Sequence, residues 1–352
     1  MSKDTSRPEG RPVALVTGAS RGLGFLLARE LAQRGHDLVL CARSAGGLDA
    51  ARADLERYGI QVLGVPADIG VAAEAGRVVD AALTRFGRLD VLVCNAGLIQ
   101  VGPAAAMRPD DYAQAMDVMF WGLVHPVLAA LPALRRNGGR ILAVTSVGGK
   151  LPAPHLLPYC AAKHAAVGFA EGLRIEAARE GVSVTVGVPG LMRTGSPRNA
   201  LFTGNRDAEY RWFATADSLP LLSINAESAA RKLVDATMRR RPEVVLTPAA
   251  KLGMRVHGVA PVTTLRVLTG LNRLLPTTVD PGPSPGHRTS PPPRWFTILT
   301  RLSRTAARRW HQFDDETPPT GASPRRLTDE QPRVGAVVSV PTSRSASEDW
   351  RT

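Results

Sequence analysis

Cysteine is scarce in this chain, and the three present, Cys41, Cys94 and Cys160, lie far apart. Scattered thiols of this kind build no disulfide framework, and neither a Cys-x-x-Cys pair nor a Cys/His cluster at metal-ligand spacing occurs. No metal site is expected, and a reducing, cytoplasmic compartment fits. Long apolar runs are missing too: no stretch of about 18 apolar residues occurs, and the polar start MSKDTSRPEGRP carries no signal-peptide core. A protein neither secreted nor membrane-spanning is the expectation. Aromatics make up only 5% of the residues, so the places where they gather are informative. Acids are outnumbered, 31 Asp and Glu against 44 Lys and Arg, for a formal net charge of +13. That excess favours an anionic partner: a phosphorylated cofactor, an acidic lipid surface or nucleic acid. No nucleic-acid-binding module accompanies the charge, so nucleic acid is not an expected partner.

What the chain does have is length and alternation. Its 352 residues, 44% hydrophobic, can bury a full core with residues to spare. Short apolar runs at 13–17, 37–42, 61–68, 89–97, 139–146, 182–190 and 243–248 alternate with helix-like stretches such as FLLARELAQRG. This pattern predicts an α/β, doubly wound Rossmann fold with a seven-stranded parallel sheet. Residues 1–10 read as a flexible N-terminus and 11–250 as the Rossmann-type domain. Residues 251–276, apolar and basic without an acid, read as a helical extension: a further core helix or a subunit contact. Residues 277–352 read as a Pro-rich linker and a mostly disordered tail. Within that tail 294–313 has the pattern of an amphipathic helix, suited either to an anionic membrane surface or to docking on the catalytic domain or a second subunit.

The chemistry concentrates in a few short stretches. TGASRGLG, Thr17 to Gly24, joins the first strand to the first helix, and its glycines let phosphate oxygens approach backbone N–H groups at the helix start. Gly18, Ser20, Arg21, Gly22, Leu23 and Gly24 are therefore dinucleotide-binding candidates. After the second strand comes Arg43, where an NAD site usually has a ribose-binding acid. Two guanidiniums, Arg21 and Arg43, suit a 2′-phosphate, and NADP(H) is the expected cofactor. Asp68 either accepts from the adenine amine or caps the next helix. TSVGGKLPAPHLLPYCAAK, residues 145–163, sets Ser146 thirteen positions before Tyr159, with Lys163 four after it.

Together TGxxxGxG at 17–24, Asn95-Ala96-Gly97, Ser146, Tyr159-x-x-x-Lys163 and Pro189-Gly190 followed by Thr194 resemble the short-chain dehydrogenase/reductase superfamily, single-domain branch, over about residues 10–248. The resemblance implies reversible hydride transfer between a nicotinamide and a small-molecule carbonyl or secondary alcohol. It implies Tyr159 as the acid or base, Lys163 as the cation that lowers the Tyr159 pKa and holds the nicotinamide ribose, and Ser146 as a hydrogen bond to the substrate oxygen. Asn95, Ala96 and Gly97 would pack against the adenosine half, Pro189 and Gly190 beside the nicotinamide, and Thr194 on its carboxamide or a phosphate. Two positions depart from the pattern. Cys94 replaces an Asn common there, and Met119 replaces the Asn that family members use to hold a relay water. A thioether is a weak acceptor and no donor, so the relay is in doubt; Met119 as core filling is the other reading.

Substrate selection falls to the aromatic-bearing stretch 195–224, with Phe202 and Trp212 as candidate contacts and His155 at the mouth, which favours a hydrophobic substrate; ordinary packing within the lid would use the same aromatics. A homo-oligomer is expected. A non-catalytic NADP-binding sensor or scaffold is the competing function, motivated by Met119.

Overall fold

Alternation along each strand decides the layering. The structure, a computed structural model, describes residues 10–218, 223–277, 284–286 and 310. Seven parallel strands form the main sheet: β1 Val13–Thr17, β2 Asp37–Ala42, β3 Val62–Pro66, β4 Val91–Cys94, β5 Arg140–Val144, β6 Ser183–Val188 and β7 Glu243–Val245. Their order is β7-β6-β5-β4-β1-β2-β3, with Val16 paired to both Leu40 of β2 and Val93 of β4. All seven expected strands are present. Each ends inside its expected run, and the residues left over, such as Asp68, Asn95 and Ser146, form the loops at the carboxyl edge.

Because side chains alternate across a strand, Val13, Leu15, Val39 and Cys41 fall on one face and Ala14, Val16, Leu38 and Leu40 on the other. The first face is covered by α3 (Ala72–Phe86), α5 (Gly122–Arg136) and α6 (Leu157–Ala177), the second by α1 (Gly22–Ala32), α2 (Ala45–Glu56) and α9 (Ala226–Met238). Burial on both faces is why the strands read as continuous apolar runs. The order reverses between β1 and β4, and the crevice at their carboxyl ends is where an open α/β sheet binds ligands.

Helix α4 (Pro109–Met116) runs through a π-helical turn, Asp117–Trp121, directly into α5. The combined helix Pro109–Arg136 is long and apolar enough to cross a membrane, but half of its most apolar window is buried against the sheet. It is a core helix here. Between β6 and α9 lie the short helix α7 (Ser196–Asn199) and α8 (Arg206–Ser218).

The extension differs from one of its two expected roles. It forms α10 (Pro248–Val259) and α11 (Pro261–Asn272), broken where Pro261 follows Ala260. Only Ala250 of α10 is buried and nothing of α11, so this is no core helix. Both faces of the sheet are already covered by other helices, leaving it nothing to fill. The tail returns to the body at two described places. Ser284–Pro285 pairs antiparallel with Leu201–Phe202, and Trp310, 6% exposed, joins the cluster of α1 and α9. The rest of 294–313 lies outside the described residues.

Candidate active site

Thr17 ends β1 with its side chain fully buried, and its hydroxyl accepts the backbone N–H groups of Asn95 at 3.0 Å and Ala96 at 3.2 Å. The Asn95 side-chain amide donates in return to the Thr17 carbonyl at 3.1 Å and to Gly18 O at 3.4 Å. The two loops at the β1/β4 switch point are thus tied together, and Asn95 acts as the tie. Close approach demands the glycines: Gly18 has φ +64, and a Cβ on Gly24 would strike the Gly18 carbonyl. The cradle this leaves, at the positive end of α1, fits the diphosphate of a dinucleotide. The Gly22 N–H there donates to the carbonyl of Trp310 at 3.0 Å. Thr17 was not among the residues singled out from the sequence; its place before the first glycine was the available signal.

Around the adenosine end, Arg21 and Arg43 are both exposed at the carboxyl ends of β1 and β2, with Ser20 beside Gly47. Asp68 does not cap α3, whose N-cap is Val71; its carboxylate accepts the Gly70 N–H at 3.0 Å in the turn before that helix. Gly97 is exposed and Ala96 half-buried in the loop after β4. Leu23 is half-buried on the first turn of α1.

Ser146, Tyr159 and Lys163 do come together. Ser146 follows β5, 7% exposed, and its oxygen accepts the Gly148 N–H at 3.1 Å, leaving its proton to donate outward. The Ser146 side chain faces the Tyr159 phenol and acts to lower its pKa. The turn sits directly on α6 because it is built of glycine: a Cβ on Gly149 would stand 2.5 Å from the Lys163 carbonyl, and one on Gly148 3.1 Å from the Tyr159 ring. Lys163, 4% exposed, lies one helical turn from Tyr159 and donates from Nζ to the Val144 carbonyl at 2.9 Å. Burial brings its pKa down to about 8. Desolvation pushes the Tyr159 phenol up to about 12, against the pull of the Ser146 side chain. At neutral pH Tyr159 therefore holds its proton, the form an acid needs.

Met119 is 3% exposed in the π turn and packs with Ala115 and Ala162 against Tyr159. It fills core behind the phenol, its other reading. Pro189 accepts the Val147 N–H at 2.9 Å, fixing the loop after β6 to the Ser146 turn, and Gly190 lies against Thr247. Thr194 is 1% exposed and its hydroxyl is already engaged with Ser196 Oγ at 2.6 Å, so it shapes the loop from within.

The substrate residues need correction. Phe202 is fully buried in an edge-to-face cluster with Tyr210 and Phe213, and it is a lid core residue rather than a contact. His155, at φ +61, places Nδ1 2.8 Å from Glu209, and Trp212 Nε1 donates to the other oxygen of that carboxylate at 2.6 Å. Glu209, fully buried, joins the loop before α6 to α8. A lone Glu in a polar helix gave no sequence signal.

Comparison with known proteins agrees with this geometry. The family described as short chain dehydrogenase matches residues 12–201. An 11-beta-hydroxysteroid dehydrogenase of Pinus massoniana is 38% identical over 200 residues, 55% of this chain and 55% of that protein, so the chain spans about half the length of this relative. A short chain dehydrogenase/reductase of Burkholderia phymatum in complex with NAD has TM-score 0.66 at 26% identity, over 77% of this chain and 98% of that one. A variant of the actinorhodin polyketide ketoreductase with NADPH has TM-score 0.60 at 27% identity, over 68% of this chain and 97% of that one. With the family match covering more than half of its length and the fold in agreement, the chain belongs to the short-chain dehydrogenase family.

Proposed function

We propose that this protein is an NADP-dependent oxidoreductase that interconverts a carbonyl and a secondary alcohol on a bulky, hydrophobic substrate. The observation that carries it is the gathering of buried Ser146, Tyr159 and, one helical turn on, buried Lys163, beside the glycine cradle at the switch point. When bound, the nicotinamide supplies or accepts the hydride at the carbonyl carbon. In reduction, Tyr159 gives its proton to the carbonyl oxygen as that atom gains charge, and Ser146 donates a hydrogen bond to the same oxygen. Proton transfer moves the negative charge from the substrate oxygen to the Tyr159 phenolate, where a cation can offset the cost of burying it. Lys163 then bears the charge that steadies the phenolate until water restores the proton. Oxidation runs the same steps backwards.

The 2′-phosphate would sit between Arg21 and Arg43, where the sequence carries no ribose-binding acid. A relative named for a hydroxysteroid and a neighbour named for a polyketide, by their names, handle bulky molecules. Homo-oligomer formation through the exposed Trp121 and Leu128 of the π turn and α5 is part of this reading. The competing reading, a non-catalytic NADP-binding sensor or scaffold, rests on Met119 standing where the family carries its relay Asn, and turnover with a ketone panel separates the two. Arg43→Ala should weaken NADPH binding by about 1 to 3 kcal/mol, the scale of a charge-assisted hydrogen bond, and hardly change NADH binding. Fluorescence titration with both cofactors measures it, and equal affinities in the wild type would defeat the NADP assignment.

A further inference from the structure

The active site leaves the pair α10 and α11 without a role. Of the thirteen large hydrophobic side chains exposed among the described residues, eight lie between Leu252 and Leu274. Val259, at the junction of the two helices, is 88% exposed, and Leu274, just past α11, is 81% exposed. Such a density of apolar surface marks an interaction site. The same stretch is wholly cationic: Lys251, Arg255, Arg266 and Arg273 occur, and no Asp or Glu stands between Glu243 and Asp280. At 100° per residue, Leu268 and Leu271 share one face of α11 and Arg266 stands opposite, the arrangement of an interfacial helix.

We propose that α10 and α11 seat the enzyme on an anionic lipid surface, with the leucines and valines in the headgroup–acyl boundary and the four cations among the lipid phosphates. Charge decides against a second copy of the chain. A two-fold contact lays the patch on itself, and here each cation would meet only cations and apolar side chains. Shape points the same way, because α11 buries none of its residues and stands out from the body through α10, a projection rather than a groove. The seat adjoins the catalytic edge: Gly253 of α10 lies over Leu151, in the loop that begins at Ser146. This inference stands whether or not the cofactor assignment does.

The test is co-sedimentation of the full chain with vesicles of phosphatidylcholine, alone or mixed with phosphatidylglycerol. Wild type should pellet with the mixed vesicles and far less with phosphatidylcholine alone. The triple variant Leu265→Ser, Leu271→Ser, Leu274→Ser should lose at least about tenfold in partitioning while keeping its melting temperature, since these side chains are exposed. Arg255→Gln with Arg266→Gln and Arg273→Gln should abolish the preference for the anionic vesicles. A tail variant, Trp295→Ser with Leu299→Ser and Leu302→Ser, should bind as wild type does. A wild type that stays in solution overturns the proposal, as does loss of binding in the tail variant alone. A dimer that the leucine variant splits, without vesicle binding, would assign the surface to a second copy instead.

Discussion

Lys163 meets two opposed demands. Its ammonium is needed beside the phenol, yet it is 4% exposed with one backbone carbonyl as partner, and burial takes its pKa from 10.5 down to about 8. A fall of that size corresponds to about 3 kcal/mol of stability lost to the charged form. The folded pKa lies below the unfolded one, so the whole cost is present below about pH 8, where both states are protonated. It is relieved as pH rises from about 8 towards 10.5, where the folded state has already lost the proton that the unfolded chain still binds. Lys163→Met should therefore abolish turnover and raise the melting temperature at about pH 7, with the gain shrinking above about pH 8. Calorimetry from about pH 6.5 to about pH 10 decides it, and a variant less stable than wild type at about pH 7 would contradict this electrostatic account.

The π turn Asp117–Trp121 brings Met119 under Tyr159, in contact with Ala115 of α4 and Ala162 of α6. Introducing the amide of Met119→Asn there buries polar atoms among methyl groups, costing several kcal/mol where no partner is found. The variant should melt well below wild type and turn over more slowly; an unchanged melting temperature with a faster rate would show a relay water in that place. Elements such as this one mark the limit of what the sequence discloses. Apolar runs foretold all seven strands, because a sheet buried on both faces needs nothing but such runs, and the glycine spacing foretold the switch-point cradle. Burial of side chains in the lid was not legible. Phe202 and Trp212 carry the same aromatic signal, yet one is sealed between Tyr210 and Phe213 and the other is tied to Glu209. Nor does an apolar helix announce whether a concave surface awaits it, which is why residues 251–276 read equally as a core helix or as a subunit contact.

Across the molecule, the chain closes on itself at the nucleotide end. Trp310 packs in the cluster of α1 and α9, the Arg29 guanidinium stands 4.7 Å from its ring centre, and its carbonyl takes the Gly22 N–H. Trp310→Ala should lower the stability of the cofactor-free protein by about 1.5 to 3 kcal/mol, the scale of one buried large side chain, and a chemical-denaturation curve unchanged by the substitution would show that the contact is absent in solution. Two helical layers, one switch point and one proton donor then converge on Tyr159. The most direct test is a single pair of measurements on Tyr159→Phe: turnover of NADPH with a lipophilic ketone panel, and NADPH affinity by titration. Removal of only the phenolic oxygen should abolish turnover and leave the affinity nearly intact, since the ring and its packing remain. Full turnover in Tyr159→Phe would contradict the catalytic assignment.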